Sequence, residues 1–314
     1  MLESPHRRFQ RVFCGLLLWG IGLVAGSCEQ FGREGAGTSV RQADELRGPV
    51  RSVTVTQAEL MKKDGQWDIR QQRTLHTASY DRQGRKTEQL VYAEDGAERT
   101  RLRFRYDEIG RQIEVRHLDS HERLTAREVS SYDTAGRLSQ SLRYGPDQEL
   151  TARTVFSYDA AGNQIASQQV SPSGQILART VSRYDEGGNL IQKQWHAAAP
   201  TPVRTRTASY DYLGTLVSDS VYDYAADGSL SQRTDVRYNP RGQPQAEVTY
   251  RQNGRFKRER SFRYQSDAFG NWTLQTIQTR ILVGQAPSFE PPRVISRTLD
   301  YYGRQPPPTA SRPQ

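Results

Sequence analysis

The stretch Arg105-Tyr106-Asp107-Glu108-Ile109-Gly110-Arg111 decides the fold of this chain, because its Tyr-Asp-x-x-Gly core recurs. The next copy, Ser131-Tyr132-Asp133-Thr134-Ala135-Gly136-Arg137, lies 26 residues further on. The repeat tyrosines are Tyr80, Tyr106, Tyr132, Tyr158, Tyr184, Tyr210, Tyr238 and Tyr264. The first six precede the turn residues Asp81, Gly84, Asp107, Gly110, Asp133, Gly136, Asp159, Gly162, Asp185, Gly188, Asp211 and Gly214. A fixed period of this kind predicts a repeat architecture.

Each motif has the chemistry of a hairpin turn. Asp at the first turn position accepts hydrogen bonds from backbone N–H groups, and Gly at the fourth tolerates positive φ. A second set of turn glycines, such as Gly96 and Gly174, lies 12 residues after Gly84 and Gly162. Each period of 26 residues is therefore predicted to hold two strands.

The segments between turns predict strands, since stretches such as Thr154–Tyr158 are rich in β-branched and aromatic residues. The expected fold is all-β, with tandem antiparallel β-hairpin repeats of about 20 strands forming one curled meander sheet or open trough. In such an array the tyrosines near the ends, Tyr80 and Tyr264, should contribute less stability than the central Tyr158.

Strand alternation places each repeat tyrosine on one face and the residue before it on the other. The tyrosine face is expected to pack inside, and the opposite face to meet water. Four arginines precede repeat tyrosines and form the candidate binding face: Arg105, Arg183, Arg237 and Arg263. The simplest interpretation of the net charge of +9 is a solvated strand surface, because acids are interspersed with the bases.

The N-terminus predicts export. A basic stretch at residues 6–11 precedes an apolar run from Val12 to Val24, which is shorter than the roughly 20 residues that span a bilayer as a helix. Small residues then lead to Cys28, an arrangement that resembles a bacterial lipobox. We expect Cys28 to be lipidated, which anchors the protein to a membrane; the alternative is ordinary cleavage beside an incidental cysteine.

These features predict four regions: a lipoprotein-type signal peptide (1–27), a flexible tether (28–47), the hairpin-repeat domain (48–303) and a disordered Pro-rich tail (304–314). The expected location is the cell envelope, as an outer-membrane lipoprotein. Export argues against nucleic acid as a partner despite the positive charge. The oligomeric state stays open.

Catalytic and metal-binding patterns find little support. His117 and His121 have the spacing of a metal-ligand pair on a helix, but they fall at a predicted turn. One Asp per turn supplies too few oxygen ligands for Ca²⁺, which takes six to eight. We therefore expect no metal, no cofactor and no enzymatic activity.

The motifs around Tyr106 and Tyr132 resemble the YD repeats of the RHS family, across about residues 48–303. The chain looks more like the small YD-repeat lipoproteins of this family. Leu46–Val53 approximates their opening, and Gly270-Asn271-Trp272 with Tyr301-Tyr302 approximates their ending. No C-terminal toxin domain follows the repeats. The resemblance implies strands that spiral into a shell and an association with carbohydrate.

Three functions remain open. The first is a non-enzymatic envelope module that binds or scaffolds polysaccharide, an anionic envelope polymer or a protein partner. The second is an immunity or accessory partner of an RHS-type effector. The third is a glycan-acting envelope enzyme, which needs paired carboxylates at an inner site.

Overall fold

The structure, a computed structural model, describes residues 44 and 46–303. The predicted signal peptide (1–27), Cys28, most of the tether (28–47) and the Pro-rich tail (304–314) lie outside the described residues. Within the described part of the chain, no helix has the length and hydrophobicity needed to cross a membrane.

The chain is all-β, and its strands are joined by short loops. The strands are β1 (Val50–Lys63), β2 (Gln66–Tyr80), β3 (Lys86–Tyr92), β4 (Glu98–Tyr106), β5 (Gln112–Leu118), β6 (Leu124–Tyr132), β7 (Leu138–Tyr144), β8 (Leu150–Tyr158), β9 (Gln164–Val170), β10 (Ile176–Tyr184), β11 (Leu190–His196), β12 (Pro202–Tyr210), β13 (Leu216–Tyr224), β14 (Leu230–Tyr238), β15 (Pro244–Arg251), β16 (Phe256–Ser266), β17 (Trp272–Val283), β18 (Ala286–Phe289) and β19 (Arg293–Tyr301). Consecutive strands pair antiparallel from β1 to β18, so the described residues form a run of hairpins.

Pairing between the first and last strands closes the sheet into a barrel. β1 pairs with β2 on one side and with β19 on the other, from Val50 opposite Tyr301 to Glu59 opposite Arg293. Since β19 also pairs with β17, 18 strands form the ring and β18 is one extra strand beside β17. The predicted open meander sheet or trough is therefore wrong. An open array would leave two edges of unpaired backbone groups, and the pairing of β1 with β19 satisfies both.

The Tyr-Asp-x-x-Gly turns share one local geometry, seen at Asp133. The Asp133 N–H donates to the Arg137 carbonyl at 2.8 Å, and the Gly136 N–H donates to the Asp133 carbonyl at 3.0 Å. The Asp133 carboxylate accepts the Arg137 N–H at 2.8 Å. Gly136 has φ +78°, in the left-handed region where a Cβ is strained. The other five glycines of the set, Gly84, Gly110, Gly162, Gly188 and Gly214, also have positive φ.

The turns alternate between the two ends of the barrel. The Tyr-Asp-x-x-Gly turns form one end, here named the turn rim, and the turns that contain Gly96 and Gly174 belong to the other end, the far rim. Both described ends of the chain reach the turn rim, where Tyr80 donates a hydrogen bond to Asp44 and Tyr302 donates to the Tyr80 carbonyl. The β1–β2 hairpin extends past the far rim, because its strands have 14 and 15 residues against 7 for β3.

The inner and outer walls differ in burial, as β8 illustrates. Its inner residues Ala152, Thr154, Phe156 and Tyr158 are buried or half-buried, while the intervening Arg153, Val155 and Ser157 are exposed. The repeat tyrosines therefore lie on the inner wall. A ring of 18 strands has a perimeter of about 86 Å at ~4.8 Å per strand, and barrels of that strand number are wide enough for an aqueous lumen.

The region where the ring closes, here named the seam, comprises β16 to β19, β1 and β2. Its inner side chains are almost fully buried, with Val53, Ile277 and Leu299 at 4%, 5% and 8% exposure. The side chain of Asn271, only 1% exposed, bonds both the N–H and the carbonyl of Arg47. The strands from β3 to β15, here named the wall, instead keep inner aromatics such as Phe104 half-buried.

Candidate ligand-binding cleft

The four arginines of the predicted binding face lie on the outer wall. Arg105, Arg183, Arg237 and Arg263 are all exposed. They sit on β4, β10, β14 and β16, each one residue before a repeat tyrosine. Six strand positions separate β4 from β10, so the structure does not bring the four guanidinium groups together as one site.

The repeat tyrosines link neighbouring hairpins. The Tyr158 hydroxyl donates to the Leu138 carbonyl at 2.8 Å, and the Arg137 guanidinium lies 4.8 Å from the centre of the Tyr158 ring. Arg137 also pairs with Asp133 at 2.8 Å. The same hydroxyl-to-carbonyl bond recurs at Tyr106, Tyr132, Tyr184 and Tyr210, over distances of 2.7 to 3.0 Å. The repeat tyrosines and turn aspartates therefore connect one hairpin to the next.

Two buried carboxylates face each other across β14 on the inner wall. Asp219 and Glu247 both lie opposite Val236, and their side chains are 1% and 6% exposed. Asp219 accepts hydrogen bonds from Arg206 at 2.7 Å and from the Tyr238 hydroxyl at 2.8 Å. Burial raises the pKa of Asp219, against the opposing effect of Arg206. This cluster was not anticipated from the sequence.

The carboxylates of this cluster are occupied by their own cations. Glu247 is held by the Arg260 guanidinium through contacts of 2.5 to 3.0 Å. Both carboxylates are nearly excluded from solvent, and neither lines the far-rim cleft described below. Asp219 Oδ1 is buried without a hydrogen-bond partner among the described residues. The burial of both groups leaves little carboxylate surface for acid–base chemistry on a substrate.

An open cleft lies at the far rim, where β2 meets the loop between β3 and β4. Its volume is about 450 Å³, and it adjoins a second space of about 180 Å³ at the base of the β1–β2 hairpin. The first space is lined by Gln71, Gln72, Arg73, Thr74, Tyr92, Glu94, Asp95 and Gly96. The second is lined by Gln57, Glu59, Gln71, Arg73 and Glu94. Because three residues line both spaces, we treat them as one cleft.

The strand register builds the floor of this cleft. Gln57 lies opposite Arg73, and Glu59 lies opposite Gln71, so these four side chains are cross-strand neighbours. The register slips on both sides of them, between Val55 and Thr56 and again between Glu59 and Leu60. Such irregularities are over-represented at barrel rims, where they re-aim side chains.

The cleft is lined by polar planar groups and one aromatic ring. Three glutamine amides, the Arg73 guanidinium and the Tyr92 ring supply hydrogen bonds and a stacking surface. Three carboxylates and one guanidinium give the lining a formal charge of −2. Arg73 approaches Glu94 at 3.4 Å, and Glu94 is 93% exposed. This composition suits a polar ligand that is neutral or positively charged.

Gln57 is a cleft side chain with unused hydrogen-bonding capacity. It is 8% exposed, and its amide has no hydrogen-bond partner among the described residues. A ligand or water in the cleft would satisfy it. Across the described residues no group of three His, Cys, Asp or Glu side chains is arranged to hold a metal ion.

Sequence reasoning missed this cleft, although the chain carries one signal for it. The turn glycine Gly65 precedes Gly84 by 19 residues, whereas the regular second-turn glycine Gly96 precedes Gly110 by 14. The extra length marks the hairpin that rises past the far rim.

Comparison with known proteins gives weak structural matches. No protein-family model matches the sequence, and no curated protein matches it. The chain is similar to a porin-like protein from Bacteroides uniformis, with 12% identity, a TM-score of 0.44, and coverage of 81% of this chain and 99% of that one. It is also similar to a LolA superfamily protein from Nitrosomonas europaea (13% identity, TM-score 0.24, 81% and 87% covered). The chain is also similar to part of the TcdB2-TccC3-Cdc42 structure, with 12% identity, a TM-score of 0.22, and coverage of 80% of this chain and 21% of that one. Similarity at this level assigns no function to the chain.

Proposed function

We propose that this protein is a non-enzymatic lipoprotein of the cell envelope whose barrel binds a polysaccharide at the far-rim cleft. The observation that carries the proposal is the cleft, whose two spaces of about 450 and 180 Å³ are lined by Gln57, Gln71, Gln72, Arg73 and Tyr92. Planar amides and guanidinium groups hydrogen-bond hydroxyl groups in directional pairs, and an aromatic ring packs against a sugar face. The export signal and Cys28 support the envelope location.

The outer wall supports a water-filled compartment around the barrel. Arg105, Arg183, Arg237 and Arg263 are exposed there, and on β8 the exposed Arg153 and Ser157 flank Val155, which is 40% exposed. A barrel that spans a membrane presents an apolar outer band to lipid. The anchor in this proposal is therefore the lipid at Cys28, with the barrel held in water beside the membrane.

The charge of the cleft distinguishes between the ligand classes that the sequence analysis left open. A lining with a formal charge of −2 repels an anionic polymer, whereas it accepts a neutral sugar chain. The scattered outer arginines do not neutralise the negative charge of the cleft, because they lie on the other side of the wall. An anionic envelope polymer is accordingly the weaker candidate.

The proposal that the protein is not an enzyme rests on the two buried inner carboxylates. Asp219 and Glu247 are the paired acids that a glycan-acting enzyme would need, but Arg206 and Arg260 hold them in place. A glycosidase needs one protonated and one ionised carboxyl group in contact with substrate. Neither group lines the far-rim cleft.

Calorimetric titration with N-acetylchitohexaose tests the proposed binding. Wild-type protein should bind, and Tyr92→Ala should weaken binding by about tenfold, as expected for loss of an aromatic contact of ~1 to 1.5 kcal/mol. Tyr144→Ala is the matched control, because Tyr144 likewise ends a strand of 7 residues before a far-rim turn but lines neither space. Equal loss in both variants, or no binding by the wild type, would contradict the proposal.

A second candidate, the accessory partner of an RHS-type effector, is favoured by exposed apolar residues on two hairpins. Trp67 and Ile69 of β2 are 49% and 56% exposed, and Leu282 of β17 and Phe289 of β18 are 44% and 64% exposed. Exposed apolar patches mark protein-interaction surfaces. Co-purification with such an effector that is lost in a Trp67→Ser/Phe289→Ser variant would favour this candidate over polysaccharide binding.

A further inference from the structure

We propose that the cleft selects an amino sugar chain with free, protonated amines over its N-acetylated counterpart. This inference rests on the proposed polysaccharide binding and names the ligand class. It follows from three features of the cleft: a carboxylate without a partner, a buried amide without a partner, and the balance of charge around them.

Glu59 supplies the carboxylate. It is half-buried on the inner face of β1 and has no hydrogen bond or ion pair with its side chain among the described residues. Arg293 lies opposite Glu59 on β19, but it is exposed and does not line the cleft. A half-buried carboxylate that lacks a cation is a site where a positively charged group binds favourably.

Gln57 supplies the amide. It lies two residues before Glu59 on the same face of the strand, and its side chain is more than nine-tenths buried at the floor of the cleft. Gln57 and Glu59 are therefore neighbouring acceptors on one face of the strand, with their Cα atoms about 7 Å apart. An ammonium group has three donors and no acceptor, so it matches two acceptors that face one space.

The remaining charges keep the cleft negative. Arg73 is the one cation of the lining, and Glu94 lies 3.4 Å from it. Asp95 uses one carboxylate oxygen to accept the Ala97 N–H at 2.9 Å, which fixes it at the entrance. After Arg73 is matched with Glu94, the charges of Glu59 and Asp95 remain for a ligand.

The lining favours a sugar chain over a basic peptide. Gln71, Gln72 and Thr74 add side-chain donors as well as acceptors, and Tyr92 adds a ring. Hydroxyl groups on every residue of a sugar chain use both kinds of group, whereas the lysine side chain offers donors at its tip alone. A polyamine peptide would leave these donors unmatched.

Paired titrations with the chitosan hexamer and N-acetylchitohexaose test the selection, because these ligands share one backbone and differ in the acetyl groups. At a pH where the sugar amines are protonated, wild-type protein should bind the free-amine form about tenfold more tightly. Raising the salt concentration from 50 to 500 mM should reduce this preference, since partly exposed charges are screened.

Two variants locate the preference. Glu59→Gln should bring the two affinities to within about threefold by removing one charge. Asp227→Asn is the matched charge control, since Asp227 bonds the Ser229 N–H at 2.9 Å in a far-rim turn as Asp95 bonds Ala97, but it lines no part of the cleft. This control should keep the tenfold preference.

The outcomes separate this inference from the proposed function. Equal binding of the two hexamers, or a preference for the N-acetylated form, overturns the amine selection and leaves polysaccharide binding standing. Binding of neither hexamer overturns both. Hexalysine binding as tight as that of the chitosan hexamer overturns the assignment to a sugar. The salt dependence of the wild-type preference keeps the test decisive if Glu59→Gln fails to fold.

Discussion

The wall and the seam of this barrel are held together in different ways. Along the wall, one set of contacts recurs from hairpin to hairpin, such as the bond from the Tyr132 hydroxyl to the Gln112 carbonyl at 2.7 Å. At the seam each contact occurs once, as where Asn271 bonds the backbone of Arg47, 224 residues away. The closed ring depends on both kinds of contact. The wall contact is repeated in several hairpins, whereas each seam contact occurs once.

This difference predicts where the barrel is sensitive. A closed ring has no terminal repeats, so a wall contact that is lost leaves its neighbours in place, as in repeat arrays generally. The loss of a seam contact instead weakens the single place where distant parts of the chain meet. The seam tyrosine Tyr80 is also more fully buried than wall tyrosines such as Tyr158, so its removal leaves a larger cavity.

The largest expected effect comes from the repeat tyrosine at the seam. Tyr80 is 3% exposed, donates to Asp44 and accepts a hydrogen bond from Tyr302 at its carbonyl. Tyr80→Ala should lower the free energy of unfolding by about 4 kcal/mol, and Tyr158→Ala, at a half-buried wall position, by about 2 kcal/mol. This reverses the order expected for an open array. Urea unfolding measures both, and an equal or larger loss at Tyr158 would contradict the distinction.

A smaller effect is expected for the asparagines that follow two turn glycines. Asn271→Leu removes buried bonds to Arg47 and to the Tyr301 hydroxyl, at 2.6 to 2.9 Å, and should cost about 3 kcal/mol. Asn163→Leu is the matched wall variant, since Asn163 occupies the same turn position but bonds Asp159 alone. Its expected cost is about 1 kcal/mol. Similar unfolding midpoints for the two variants would remove the difference between seam and wall.

The sequence could predict the wall because its signals are local. Asp133 and Gly136 lie within one turn, and the residue types explain the carboxylate cap and the positive φ without reference to the rest of the chain. Closure could not be predicted in this way. The pairing of Ser52 with Asp300 joins opposite ends of the domain, and no local pattern near either residue specifies it.

The cleft escaped prediction for a related reason. Gln57 and Tyr92 carry no motif, and they line the same cleft only because two register slips and a long hairpin bring β1 and β2 beside the loop after β3. The outer arginines were recognisable in the sequence as an exposed set. Their separation around the ring depends on closure, which the sequence did not reveal.

The smallest of the expected stability effects depends on pH. The seam and the wall should lose stability in different pH ranges. Burial lowers the pKa of His76 at the seam from 6.5 to about 4, with a further contribution from Lys86. Because the folded pKa lies below the unfolded value, the unfolded state binds more protons between pH 6.5 and 4, and stability falls as pH falls through that window. The loss should reach about 2 kcal/mol by pH 5.

Asp119, in the far-rim turn between β5 and β6, has a pKa lower than that of His76. Hydrogen bonds from the Arg123 side chain and backbone lower the pKa of Asp119 to about 2. The stability that this carboxylate contributes is therefore present above its ordinary pKa and is lost as pH falls from about 4 toward 2. Urea unfolding at pH 7, 5.5 and 4.5 should show a slope that His76→Gln removes. A slope unchanged by this substitution would exclude His76 as its source.

Closure of the ring is the central claim, and a disulfide across the seam tests it most directly. Thr56 and Ser296 lie opposite each other on β1 and β19, with their hydroxyl oxygens 2.6 Å apart. In a background with Cys14→Ser and Cys28→Ser, Thr56→Cys/Ser296→Cys should form an intramolecular disulfide, because directly paired strand residues have suitable Cα separations. The Thr56→Cys/Ser141→Cys control should form none, since Ser141 lies on β7 in the wall. A monomeric product that gains electrophoretic mobility on oxidation is the predicted result, and thiols that stay free or link two chains would contradict a closed barrel.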